Sequence, residues 1–370
     1  MILSIGVALL APLLLIDVLQ LSVSAGDEGV ILAGASRVLH GQLPYRDFFS
    51  IVTPGSYYLL ASFFKVFGES LLTARALHWL IYAGTLAVFL GLMSRLGLPL
   101  RWKLVGIWAT MAMGPPFWCI LSHHWLANLG VLASGLLLLQ SQASRKMVHV
   151  FLSGLAAGAT FLCLQDEGLY WMALAAVALF FAGRKSRWKA PATFVSAAAL
   201  MAGAVFLPLL TRVPVAAGWG NLVLSPLTGY HGAAGNRVSL AEGWTLPLRV
   251  FMEQWRRAAG LSGLPNLLSS AATFAGTVLV LVFLATAVIL TGHLLVCWRR
   301  RAKNGSEPFL VLAAMVLSLL LTALHRPAML NLVWAFPGAL LMVLWWLGNR
   351  NASADKRMSW GLALSLGAPF

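Results

Sequence analysis

Charged side chains are scarce in this sequence. Only 10% of its residues are Asp, Glu, Lys or Arg, where soluble domains carry about 25%. Apolar residues make up 60% of the chain, and mean hydropathy is +0.84. No water-soluble core could enclose so much apolar side chain, so the ordinary globular classes are excluded and lipid becomes the natural solvent. Cysteine is scarce too. Cys119, Cys163 and Cys297 show no metal-ligand spacing and no disulfide framework. They read as buried inert thiols, with a Cys119–Cys163 bridge left open because both fall near outer helix ends. Acidic residues number 11 against 26 Lys and Arg, a net charge of +15. That excess would suit nucleic acid if it lined one face or filled a tail. It sits instead in short clusters between apolar runs, so nucleic acid is not an expected partner.

What the chain has is a succession of apolar runs of about twenty residues, the length a helix needs to cross hydrocarbon. Backbone polar groups cannot stay unpaired in lipid, which leaves helices or a closed barrel. The runs lack strict alternation, and that selects helices. Spans are predicted near residues 2–21, 71–93, 103–120, 125–141, 148–164, 168–183, 191–210, 268–297, 309–324 and 328–347. The expected fold is therefore an all-α polytopic membrane protein. It has about ten transmembrane helices, and its outer loops carry short interfacial helices. Residues 1–347 read as one transmembrane unit, with a first outer loop at 22–70, a large outer loop at 211–267, and a cytoplasmic or interfacial tail at 348–370. Thr53–Phe67 is apolar but short, and reads as a re-entrant or interfacial helix. Trp360–Phe370 is too short to cross. Val23-Ser24-Ala25 resembles a signal-peptide cleavage site. No Lys or Arg precedes it, however, and the apolar run before it is longer than such peptides carry, which favours an uncleaved anchor.

Basic residues set the orientation. Arg95, Arg101 and Lys103, then Arg145 and Lys146, then Arg184, Lys185, Arg187 and Lys189 fall in alternate short loops. Arg299, Arg300, Arg301, Lys303, Arg350, Lys356 and Arg357 fall on the same side. That side is the cytoplasm by the positive-inside rule, and both termini lie there. The acids do the reverse: Asp27, Glu28, Asp47, Glu69, Asp166, Glu167, Glu242 and Glu253 fall on the outer side. The expected location is an inner (plasma) membrane with the working face extracytoplasmic.

Several outer residues carry candidate chemistry. Asp27-Glu28 stands before a predicted helix from Gly29 to His40, where the macrodipole favours anions. Asp27 then serves either as a cap or as a general base, which needs a carboxylate within reach of an acceptor hydroxyl. Tyr45, Arg46 and Asp47 follow a turn marked by Gly41 and Pro44, and Arg46 and Asp47 could simply pair. Tyr57 begins the short apolar helix. Arg75 at the outer end of the second span either snorkels or grips a phosphate. Gln165, Asp166 and Glu167 form a tight outer turn in which the acids either stay wet or orient a substrate. Late in the chain, His325-Arg326-Pro327 precedes Asn331 and Phe336-Pro337, with the Arg326 cation at an outer helix end. Leu246–Ala259 reads as an interfacial amphipathic helix. His123-His124 lack a convincing metal spacing, and no metal site is expected there.

Taken together, Asp27-Glu28-Gly29, Pro44-Tyr45-Arg46-Asp47-Phe48-Phe49, Pro54-Gly55, Tyr57-Tyr58, Phe67-Gly68 and Arg75 resemble one family. They look like the first outer loop of bacterial GT-C glycosyltransferases related to the dolichyl-phosphate-mannose protein mannosyltransferases. The resemblance implies an inverting transfer of a sugar from a polyprenyl-phosphate donor to an acceptor hydroxyl on a glycan, lipid or protein. It implies Asp27 as base with Glu28 beside it, and no required cofactor, though a divalent metal is compatible. It also implies substrate contacts from Tyr45, Arg46, Asp47, Tyr57, Arg75, Gln165, Asp166, Glu167 and Arg326. Two departures stand out: Leu164 where a basic residue is expected, and Ala328 and Asn331 where Asp and His are expected. A transporter or flippase is the competing class and should show charge inside the spans, broken helices or repeats. Of the acids only Asp17 falls within a predicted span. A non-catalytic polyprenyl-lipid binder is the third reading.

Overall fold

A computed structural model describes residues 27–114, 120–182, 187–230, 281–283, 285–293, 307–325 and 329–353. Every regular element among them is helical, apart from one isolated bridge between Pro44 and Phe48. The order is α1 (Asp27–Leu39), α2 (Gly55–Phe67), α3 (Leu71–Arg95), α4 (Leu100–Met113), α5 (His123–Ser144) and α6 (Met147–Cys163). Then come α7 (Gln165–Ala182), α8 (Lys189–Leu210), α9 (Val215–Trp219) leading into a π-helix (Gly220–Tyr230), α10 (Glu307–His325) and α11 (Met329–Ser353).

Helix ends follow local chemistry. Ser70 and Ser122 cap α3 and α5, each accepting from a backbone N–H of the first turn, Thr73 and His124 respectively. Gly97 ends α3 with φ +73°. The Leu98 amide bonds back to Met93 O at 3.0 Å and the Gly97 amide to Ser94 O at 3.1 Å, the paired bonds of a Schellman stop. Leu98 is buried beneath that turn.

Four described segments are long and apolar enough to cross a membrane: Leu71–Arg95, His123–Ser144, Lys189–Leu210 and Leu332–Asn349. Each coincides with a predicted span. Against an expectation of about ten crossings, Met147–Cys163 and Pro308–Ala323 are apolar but shorter, and α7 opens on Gln-Asp-Glu. The span expected at 103–120 begins as α4 and continues over residues outside the described ones, as does most of 268–297. The span at 2–21, the amphipathic segment Leu246–Ala259 and Arg326 also lie outside them. Within Thr53–Phe67, Gly55–Phe67 form the short helix α2. α11 continues through residues 348–353, where the sequence predicted the start of a tail.

The bundle is held by close small-residue contacts. α6 lies between α5 and α8. A Cβ on Gly158 would stand 2.5 Å from Ala198 O, and one on Gly154 would meet the Phe194 carbonyl, so α6 and α8 touch backbone to backbone through a Gly-x-x-x-Gly face. Ser134 Oγ meets Ser153 Oγ at 2.7 Å and accepts from Trp171 Nε1 at 2.8 Å, tying α5, α6 and α7 together. α10 packs on α7 and α5, and α11 on α10 and α4. The Asn128 amide donates to Trp334 O at 2.7 Å and fixes α11 against α5. Val195, Leu200 and Leu207 on α8 remain exposed, as expected of a helix whose outer face meets lipid.

Candidate functional site

The starts of α1, α3, α5, α7 and α11 and the ends of α6 and α8 collect at one end of the bundle, together with the loop at 40–54. Of the acids that sequence alternation assigns to one side, Asp27, Glu28, Asp47, Glu69, Asp166 and Glu167 are found here and Glu242 and Glu253 lie outside the described residues, whereas Arg101 lies at the other end. There it lines a cavity of about 340 Å³ with Trp345 and Asn349.

Asp27 and Glu28 occupy the first turn of α1 but have different surroundings. Glu28 is fully buried, and its Oε1 lies 3.6 Å from Nε of Arg75, itself 1% exposed. A buried charge must be paired to persist. In this structure Arg75 therefore meets a carboxylate and does not snorkel. Asp27 is half-buried. Its Oδ2 accepts from Ser122 Oγ at 2.9 Å, which ties the start of α1 to the cap of α5. The first two residues of α5 complete the group: Asp27, His123 and His124 each offer one ligand atom, and these atoms lie within 4.8 Å of one another. The His124 ring stacks on Trp334 at 3.5 Å.

The loop at 40–54 is built largely on its own residues. Gly41 turns with φ +83°. Arg46 bonds Asp47 twice at 2.8 Å, and Asp47 Oδ2 accepts from the Leu43 amide at 2.7 Å. These hydrogen bonds, Arg46 first, hold the Asp47 carboxyl at about 2, below its ordinary value. Tyr45 is buried and donates to Val52 O at 2.8 Å; burial, then the neighbouring Tyr57 and Tyr58, pushes its phenol well up. Tyr57 meets Ser50 Oγ at 2.9 Å and lies so close over Gly34 that a Cβ there would be 2.6 Å from the ring. Thus Tyr45 and Tyr57 serve the loop's own architecture.

Gln165 joins this loop to α7. It accepts from the Thr53 amide at 3.2 Å and donates to Ile51 O at 2.6 Å. Thr53 Oγ1 also donates to Phe161 O at 2.7 Å. Next to it, Glu167 is 1% exposed, and burial, then Asp166, pushes its carboxyl well above the usual range. Among the described residues neither Asp166 Oδ1 nor Glu167 Oε1 has a hydrogen-bond partner. Cys163, at the adjoining end of α6, is a free thiol. On the other flank, Tyr45 packs with Leu209 and Val213, and the Ser50 amide donates to Asn221 at 3.3 Å.

No family model matches the chain, and no curated protein matches it. Among solved structures there is a likeness. The chain is similar to ArnT from Cupriavidus metallidurans, in a crystal structure of that protein bound to undecaprenyl phosphate. Identity is 15% and the TM-score 0.45, over 95% of this chain and 79% of that one. An overlap of that size leaves the function to be read from the chain's own residues.

Of the expected site residues, Asp27, Glu28 and Arg75 are brought together directly. Tyr45, Tyr57 and Gln165 are drawn into one loop assembly, with Asp166 and Glu167 beside it in the first turn of α7, and Arg46 and Asp47 form an outlying exposed turn. Ser122 was passed over, and His123-His124 were weighed as metal ligands and set aside for their spacing. Adjacent positions on a helix point in different directions, so a His-His pair alone promises no shared ligand. The missing partner, Asp27, lies 95 residues before Ser122, the cap that precedes the pair. The serine cap before the pair was the available local signal that its rings start a helix.

Proposed function

We propose that the chain is a membrane glycosyltransferase of the GT-C kind. It takes a sugar from a polyprenyl-phosphate donor and transfers it to an acceptor hydroxyl at the extracytoplasmic face of the plasma membrane. The observation that carries this reading is the contrast among the acids at the Asp27 end. Glu28 and Glu167 are buried, whereas Asp27 is half-buried and oriented by Ser122. A base must reach its substrate, and of the half-buried acids Asp27 and Asp166, Asp27 is the one that Ser122 orients. The helix-rich, charge-poor chain and the first-loop residue pattern support the lipid-linked donor.

In this mechanism Asp27 takes the proton of the acceptor hydroxyl as that oxygen attacks the anomeric carbon. The bond from that carbon to the phosphate oxygen breaks, and polyprenyl phosphate leaves with the electron pair. Attack from the opposite face inverts the anomeric centre. Glu28 and Arg75 position α1 by their ion pair. Gln165 holds the loop at 51–53 over the start of α7. Arg46 and Asp47 offer a polar exposed turn to the acceptor.

Among the described residues the buried charges Glu28, Arg75 and Glu167 all lie in the first one or two turns of their helices, which favours an enzyme at the membrane surface over a transporter. The test is transfer by the purified chain in nanodiscs, with a panel of polyprenyl-phosphate sugars and membrane extract as acceptor. The expected result is one donor that labels acceptor with inverted anomeric configuration. Retention of configuration would refute the single-displacement chemistry. Tight donor binding without turnover would favour a non-catalytic lipid binder.

A further inference from the structure

We infer that Asp27, His123 and His124 form a binding site for one divalent first-row transition cation, with Zn2+ the best-suited ion. Their ligand atoms already lie within 4.8 Å of one another. A tetrahedral Zn2+ with bonds of about 2.0–2.1 Å holds its ligands about 3.3 Å apart, so modest side-chain rotation closes the set. Two imidazoles and one carboxylate form a borderline nitrogen–oxygen donor set. It suits zinc and its neighbours and disfavours Mg2+ and Ca2+, which prefer oxygen throughout. Three protein ligands leave a fourth position open, as in catalytic zinc sites.

A second observation points the same way. His123 is 8% exposed, and its Nδ1 makes no hydrogen bond among the described residues. A buried imidazole nitrogen without a partner is costly, and a cation in this cluster supplies a partner for the ring. The other two ligands are held in place beforehand. Ser122 fixes the Asp27 carboxylate at 2.9 Å, and the His124 ring lies against Trp334 at 3.5 Å; such supports orient ligands for metal. The positive end of the α5 dipole opposes a cation here, and the Asp27 charge offsets it. Asp27 and His124 are only half-buried, which leaves an approach for the ion and for whatever fills its open position. The transferase reading requires no donor group in that position. A carboxylate has about four lone-pair sites, so Asp27 can hold the ion, accept from Ser122 and still take a proton. The metal site goes beyond that reading, and its test needs no sugar donor.

The experiment is a Co2+ titration of the full chain, purified without a histidine tag, stripped with chelator and followed by visible absorption, then competition with Zn2+. One equivalent of cobalt is expected, with the absorption of a nitrogen-ligated site of low coordination number, displaced by zinc. His123→Ala and His124→Ala should each weaken binding by well over tenfold. Ser122→Ala, which keeps all three ligands, should weaken it by about tenfold. His149→Ala, elsewhere in the fold, should bind like wild type. Wild-type protein that binds no cobalt at stoichiometric loading, or that shows only the spectrum of hydrated cobalt, overturns the site. So do His123→Ala and His124→Ala proteins that bind as tightly as wild type. If the alanine variants do not fold, the wild-type titration and spectrum decide the matter.

Discussion

Replacing Arg75 by Met should be among the most damaging single substitutions in the chain, because it leaves the Glu28 carboxylate buried without its guanidinium. The two groups are 3.6 Å apart, with side chains 2% and 0% exposed. At that separation and an effective dielectric of about 20, their attraction is about 4–5 kcal/mol. Removing one member of a buried pair typically costs about 3–5 kcal/mol. Replacing both members by apolar groups of similar volume removes the stranded charge, so Glu28→Leu/Arg75→Met should return to within about 1 kcal/mol of wild type. The coupling energy of the cycle is then about 3 kcal/mol. Reversible unfolding in mixed micelles, followed through the 15 tryptophans, measures all four proteins. An Arg75→Met cost below about 1 kcal/mol, or single effects that simply add in the double variant, would refute the claim that this pair is buried and coupled.

The α6–α8 contact predicts that Gly158→Leu destabilises by at least about 1–3 kcal/mol of overpacking, since a Cβ there stands 2.5 Å from Ala198 O and 2.8 Å from Met201 Cβ. Gly203→Ala, whose nearest neighbour atom would be 3.7 Å away, should be harmless in the same unfolding assay. Gln165→Leu removes both hydrogen bonds to the loop at 51–53 and should cost about 1–3 kcal/mol, read as faster hydrogen exchange at the Thr53 amide. For Asp47 the folded carboxyl titrates at about 2, below the ordinary value near 3.9. Its contribution to the turn is therefore present above that ordinary value and is lost as pH falls through about 2. The Leu43 amide, which donates to Asp47, should be protected at pH 5 and lose protection in the Asp47→Asn variant.

The long helices were legible because their signal is local. The predicted spans 71–93, 148–164 and 191–210 coincide within a few residues with Leu71–Arg95, Met147–Cys163 and Lys189–Leu210. A run of apolar residues flanked by Lys, Arg or a serine cap carries its own boundaries. The site was legible only as separate pieces. Asp27-Glu28 stood out as acids at a helix start, but nothing in the sequence distinguishes which of the two is buried. That depends on Arg75, 47 residues further on, and on the helices packed around it. Hydropathy weighs each charge alone, so Arg75 read as a headgroup or phosphate contact, with no sign of its ion pair with Glu28. Tyr45 and Tyr57 are expected as substrate contacts through the family resemblance alone, and their residue types carry no sign of the bonds they make inside the loop. The partners that occupy them, Val52 O and Ser50 Oγ, emerge only when the loop closes. The meeting of Asp27 with His123 and His124 likewise joins two helix starts that no periodicity connects.

The most direct test of the central claim separates donor binding from transfer in the Asp27→Asn protein. The substitution keeps the size of the side chain and an oxygen that can accept from Ser122, but removes the base. The account predicts donor affinity within a few-fold of wild type in nanodiscs, with single-turnover transfer slowed by at least the roughly 10²–10⁴-fold a general base contributes. Transfer at the wild-type rate in Asp27→Asn would contradict it.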